Sequence, residues 1–142
     1  MSAVISTIIV NYNAGESLRS CVDSLLNCSL EIEIIVVDNA STDGSLDTLP
    51  GLPCVQIIKN SSNVGFAAAC NKGARIASAQ FLLFLNPDCF LKPGTLVGLL
   101  EAIRADEHVG LVGGLLAVYH TARLIGRKLG LGPLDEGEGV GG

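Results

Sequence analysis

FLLFLNPDC, residues 81–89, sets five large apolar side chains in a row and then breaks off on an amide, a proline and a carboxylate. A short continuous apolar run bounded by turn residues is the pattern of a strand buried on both faces. The same form recurs as AVISTIIV (3–10) before NYNAG, EIEIIVV (31–37) before DNASTDGS, and CVQIIK (54–59) before NSSNVG. Between these runs the apolar period lengthens. Leu18, Cys21, Val22, Leu25 and Leu26 mark one helix face, and Asn13 and Glu16 have the spacing of a capping box at its start. A helical turn is expected over 45–49 and an alanine-rich helix over 66–79. Another is expected over 95–105, with Leu96, Leu99, Leu100 and Ile103 inward. VGLVGGLLAVY (109–119) reads as a fifth, glycine-interrupted strand. The predicted order is βαβαβαβαβ.

Unbroken apolar strands separated by helices of about 10 to 15 residues predict an α/β fold. Its sheet would be Rossmann-like and mostly parallel, with helices on both faces. Such sheets bind ligands outside the carboxyl ends of their strands. Four strands end there in polar loops: Asn11 and Asn13 after the first, 38–43 after the second, 60–65 after the third, and 86–88 after the fourth. The expected domain organisation is one unit over residues 1–119. In 120–142, HTARLIGRKLGLG reads as a basic helix and PLDEGEGVGG as a disordered glycine-rich tail.

Composition narrows the function. With 49% hydrophobic and 16% charged residues, the chain of 142 is core-forming and about one domain long. No apolar stretch reaches the roughly 18 residues of a spanning helix, and MSAVISTIIVNYN lacks the basic start of a signal peptide. Five cysteines form no CxxC pair and read as reduced core thiols, so a cytoplasmic location is expected. A net charge of -5 offers no basic stripe to a nucleic acid. Arg123, Arg127 and Lys128 would give at most a peripheral contact with the inner face of a membrane, and a solvated face is the plainer reading.

The phosphate-binding GxxxxGK[ST] loop, the GxGxxG fingerprint and the GxSxG elbow are all missing. The rim is acidic instead, with Asp38, Asp43 and Asp88 among amides. Bare carboxylates repel phosphates, so a phosphorylated ligand at this edge calls for a divalent cation such as Mg²⁺ or Mn²⁺ between them. Asp88, fixed by Pro87 just past a strand, suits that role, while NPD read as a plain turn needs no ligand at all. Asp38, directly after a strand, is either an acceptor for a ribose or base or a cap on the next short helix.

TIIVNYNAGESLRSCVDSLL, EIIVVDNASTDGS, NSSNVGFAAACNKGA and FLLFLNPDC together resemble the amino-terminal, nucleotide-binding half of family 2 glycosyltransferases with the GT-A fold. The likeness covers residues 4 to about 118. It is greatest to the rhamnosyltransferase-like branch, where NPD stands in for the DxD motif. The resemblance implies a donor site for a nucleotide-diphosphate sugar of UDP or TDP type. Val10, Asn11, Tyr12 and Asn13 would lie against the nucleotide and Asp38 would hold base or ribose. Asn63, Gly65 and Asn71 would line the pocket, Asn86 would sit near ribose or diphosphate, and Asp88 would ligate Mg²⁺ or Mn²⁺. Lys72 fits the motif and equally fits a solvated helix position.

The family inverts the anomeric centre with a carboxylate base carried in its second, acceptor-binding half. The only late acids here, Asp135, Glu136 and Glu138, lie in the glycine-rich tail, so the base is assigned to none of them. The expected function is transfer of a sugar, rhamnose among the candidates, to a glycan or lipid-linked acceptor hydroxyl in surface polysaccharide synthesis. The alternative is a truncated module that binds the nucleotide sugar without transferring it.

Overall fold

The computed structural model describes residues 3–113. Four strands, β1 (Ile5–Asn11), β2 (Ile32–Asp38), β3 (Val55–Lys59) and β4 (Phe81–Leu85), alternate with three α-helices, α1 (Glu16–Leu26), α2 (Phe66–Ile76) and α3 (Thr95–Arg104). A single 3₁₀ turn covers Ser45–Thr48. Every strand pairing is parallel and the order is β3-β2-β1-β4. The chain builds outward from β1 through β2 to β3, then returns to place β4 on the other side. The switch in direction falls between β1 and β4, and at such a point the flanking loops part to leave a crevice.

β1 and β2 are almost wholly buried because each has a neighbour on both sides and helices above and below. Ile5 and Ile9 of β1, with Ile34 and Val36 of β2, pack against Leu18, Cys21, Val22 and Leu25 of α1 and Leu96 of α3. Alternate residues Ile8, Val10, Ile35 and Val37 meet Ala69 and Cys70 of α2 on the opposite face. That is the two-sided burial which the unbroken apolar runs predict. α2 lies so close to the sheet that a Cβ at Gly73 would stand 2.7 Å from Ile8 Cγ2. It spans β1 and β2 but leaves Leu82 and Phe84 of β4 44% and 48% exposed.

Two expectations need correction. Residues 109–113 form no strand; Val109 N–H donates to Asp106 O in a turn, and the glycines at 110 and 113 weaken any extended pairing. The rest of that predicted strand, with the basic segment and the tail, lies outside the described residues. The capping box is also not formed. Gly15 is the N-cap of α1 and no side chain caps it. Asn13 has φ 50°, and in that left-handed turn its Oδ1 accepts from Thr42 N–H at 2.8 Å instead.

Candidate functional site at the carboxyl rim

The parallel register sets Asn11 level with Asp38 and Leu85 level with Ile9, so the loops after β1, β2 and β4 open on one rim. Asp88 follows β4 by three residues. β2 and β4 flank β1, so the strand ends from which the two loops leave are about 10 Å apart across the sheet, two strand spacings. The two carboxylates therefore stand on the same edge, on either side of β1.

Asp38 is 3% exposed and anchored by its neighbours. Its Oδ1 accepts from Asn11 Nδ2 at 2.8 Å and Ser41 Oγ at 2.6 Å, and its Oδ2 from Ser41 N–H at 3.0 Å. A carboxylate has about four acceptor positions, so one remains, on Oδ2. Asp38 does not cap the 3₁₀ turn, whose N-cap is Gly44. Asn11 is fully buried, and its amide also donates to Ser45 Oγ at 2.8 Å and Ser41 Oγ at 3.0 Å. Its Oδ1 has no hydrogen-bond partner among the described residues. Asn11 therefore orients Asp38, and its own side chain is closed to a ligand. Ser41 and Ser45 belong to this cluster and were not legible in the sequence.

Asp43 Oδ2 accepts from Gly15 N–H at 2.7 Å and Oδ1 from Ser45 N–H at 3.0 Å, tying the loop after β2 to the start of α1. Hydrogen bonds from Ser45, then from Gly15, hold this carboxyl below the usual aspartate range. Tyr12 is 54% exposed and directly follows β1. Val10 is buried against the α2 face, whereas Asn13 is exposed.

Asn63, Gly65 and Asn71 are exposed around the start of α2. Asn63 Oδ1 accepts from Gly65 N–H at 2.9 Å, and Gly65, at φ 86°, is the N-cap of α2. A second polar cluster, also missed in the sequence, joins this loop to β2. Asn39 and Asn60, 2% and 8% exposed, follow directly on the ends of β2 and β3. Asn60 Nδ2 donates to Asn39 Oδ1 at 2.8 Å, and Lys72 Nζ donates to Asn60 Oδ1. The signal was available in principle, since both asparagines immediately follow neighbouring strands, but it needs the strand order to be known.

Asn86 and Asp88 are exposed on the far side of β1. The turn carrying them is pinned from below, because Asn86 O accepts from Cys89 N–H at 3.1 Å and from the Cys21 thiol at 3.6 Å. Burial, together with Cys89 and Asp88 nearby, pushes the Cys21 thiol up to about 12, so it is a packing and donor group rather than a nucleophile. No cluster of three or more His, Cys, Asp or Glu able to hold a metal occurs among the described residues. One exposed carboxylate, Asp88, fits a cation whose other ligands are the oxygens of a bound diphosphate.

The Glycosyl transferase family 2 model matches residues 6–135, and the chain belongs to that family. It is 31% identical over 134 residues to an uncharacterized glycosyltransferase of Nostoc sp., covering 91% of this chain and 42% of that one. It is 30% identical over 130 residues to the chondroitin synthase of Escherichia coli, covering 88% of this chain and 18% of that one. Among solved structures it is similar to the mannosyltransferase PcManGT of Pyrobaculum calidifontis in complex with GDP-Man and Mn²⁺. The TM-score is 0.68 at 24% identity, over 78% of this chain and 34% of that one. The α/β fold is thus the GT-A one of its structural neighbours, and the chain spans less than half the length of these relatives. No helix among the described residues is long and apolar enough to cross a membrane.

Proposed function

We propose that the rim is the donor site of a glycosyltransferase that takes a nucleotide-diphosphate sugar, of UDP or TDP type, and passes the sugar with inversion to a hydroxyl of a glycan or lipid-linked acceptor. Rhamnose is one candidate sugar, from the resemblance to the branch in which NPD stands in for DxD. The observation that carries the reading is that Asp38, Tyr12 and Asp88 follow the carboxyl ends of the adjacent strands β2, β1 and β4, beside the strand-order switch at which open parallel sheets hold nucleotides.

In this reading the nucleoside lies over the ends of β1 and β2. The remaining acceptor position of Asp38 takes a ribose hydroxyl or base N–H, Tyr12 offers its ring, and the backbone of Val10 to Asn13 lines the floor. Asn63, Gly65 and Asn71 close the α2 side. The diphosphate extends past Asn86 to Asp88, which would hold Mg²⁺ or Mn²⁺. When bound, that cation supplies the charge that lets phosphates approach an acidic edge and that stabilises the departing diphosphate. The acceptor's proton requires a carboxylate beyond those described here. A second reading is donor binding without transfer. Cytoplasmic placement and a role in surface polysaccharide synthesis remain part of the proposal.

Calorimetry with UDP- and TDP-sugars tests the site. Binding is expected with Mn²⁺ or Mg²⁺ and not without, and Asp88→Ala is expected to weaken it on the order of 30-fold or more. Cation-independent binding, or a variant that binds as well as the parent, would refute the site. Steady release of sugar to an acceptor would refute the binding-only reading.

A further inference from the structure

Beyond the residues assigned to the donor site, we propose that Lys72, Asn60 and Asn39 form a directional relay that positions the 63–65 loop against the nucleotide. The inference rests on the donor-site reading above. Lys72 Nζ donates to Asn60 Oδ1 at 2.5 Å, Asn60 Nδ2 donates to Asn39 Oδ1 at 2.8 Å, and Asn39 Nδ2 donates to Gly65 O at 3.4 Å. Each link has only one possible direction. An ammonium can only donate, so the oxygen of Asn60 must face it, and its NH₂ must then turn to Asn39. The oxygen of Asn39 is thereby taken, leaving its NH₂ for a carbonyl, which can only accept. A residue that donates alone at one end and a group that accepts alone at the other orient both amides between them.

The terminal carbonyl matters to the site. Gly65 O also accepts from Ala69 N–H at 3.2 Å, so both of its lone pairs are engaged, one by α2 and one by the end of β2. The N–H of the same residue is held by Asn63 Oδ1. The Gly65 peptide, in a left-handed conformation at φ 86°, is consequently fixed on both sides. With it are fixed the exposed Asn63 and the first turn of α2. Asn39 and Asn60 are almost fully buried and committed to each other, so they act on a ligand only through this loop. Lys72 is an exposed helix residue whose ammonium keeps two further donors. Hydrogen bonds in series at low local dielectric polarise one another, so loss of any member loosens the whole relay.

The test is a double-mutant cycle on the full chain. Affinity for UDP and TDP in the presence of Mn²⁺ is read by calorimetry, the exchange rate of the Gly65 amide by NMR, and folding by circular dichroism. Asn60→Ala and Lys72→Met are each expected to weaken binding about tenfold, roughly one hydrogen bond's worth, and to speed exchange at Gly65 while amides of α1 keep their rates. The double variant is expected to bind no more weakly than either single one, and Lys72→Arg to keep parental values. Asn60→Ala leaves the ammonium in place, so parental affinity there would mean that Lys72 acts by charge alone and would overturn the relay. Additive losses, or weakened binding with the Gly65 amide unmoved, would overturn it as well. A parent chain that binds no nucleoside diphosphate would sink the donor-site reading and this inference with it. A parent that binds, with variants that bind equally, sinks only the relay.

Discussion

Adding one methyl group at Gly73 should loosen the contact between α2 and the sheet, and the effect can be sized from the geometry. A Cβ there would lie 2.7 Å from Ile8 Cγ2, 3.2 Å from Ile8 Cγ1 and 3.2 Å from Val37 Cγ2. Carbon atoms pack best at about 3.5 to 4.0 Å, so the closest contact is short by about 1 Å. Neither neighbour can yield easily. Ile8 and Val37 are fully buried and β-branched, with a restricted χ1, and they sit in the two central strands. The helix must therefore shift outward, at an overpacking cost of about 1 to 3 kcal/mol. Against this, alanine in place of glycine inside a helix gains about 1 kcal/mol. The expected net loss for Gly73→Ala is about 1 kcal/mol, or roughly 3 to 4 °C in Tm for a chain of this size. Gly98 in α3 provides the internal control, because a Cβ there would meet nothing within 4 Å. Gly98→Ala should stabilise by about 1 kcal/mol. Urea unfolding at constant slope measures both. Equal midpoints for the two variants would refute the argument. So would the absence of coupling between Gly73→Ala and Ile8→Ala, since the smaller side chain at position 8 removes the clash. The outward shift would also carry Lys72 away from Asn60, so nucleotide affinity should fall in Gly73→Ala and not in Gly98→Ala.

Two further outcomes are expected. Asn11→Ala removes the amide that holds a buried carboxylate and should cost about 2 to 4 kcal/mol in urea unfolding, whereas a loss below about 1 kcal/mol would show that Asp38 is held by Ser41 alone. Glu33 titrates lower than an ordinary glutamate: burial raises it, but hydrogen bonds from Ser6, Ser78 and Gln56 outweigh that. A carboxyl depressed in the folded state stabilises above its unfolded value, and that contribution is lost as pH falls through the folded one. Stability of the parent should therefore decline below pH 4.5, and Glu33→Gln should flatten that limb in pH-dependent unfolding; parallel limbs would contradict the assignment.

The central strands β1 and β2 were legible because burial on both faces keeps their runs mostly apolar; β4 begins and ends where FLLFL does, although as an edge strand it leaves Leu82 and Phe84 exposed on one face. Over 109–113 no strand forms, because an apolar segment diluted with glycine carries a composition signal with little pairing strength. At the site, Asn11 and Asp38, which end strands, and Asp88, three residues past one, were visible as polar punctuation. Which of them is available to a ligand was not. Asn11 looks like a ligand in the sequence, yet its amide is consumed by Asp38, Ser41 and Ser45, 27 to 34 residues away. In the sequence Asn39 and Asn60 read as plain loop residues, because their meeting depends on β2 and β3 being neighbours. Ser6 and Glu33 likewise face one another only once the parallel register is fixed.

Five residues with positive φ, Asn13, Gly15, Ala40, Gly44 and Gly65, lie in the three loops that follow β1, β2 and β3. Ala40, at φ 62°, holds that conformation without the freedom of a glycine. A border made this way has its outline set before any guest arrives, so little of the chain has to be ordered upon docking. Choice among nucleotides then falls to the side chains projecting from a fixed frame. Altering that choice is a matter of exchanging Tyr12 or Asn63 in place, while lengthening or shortening the loops would dismantle the frame itself.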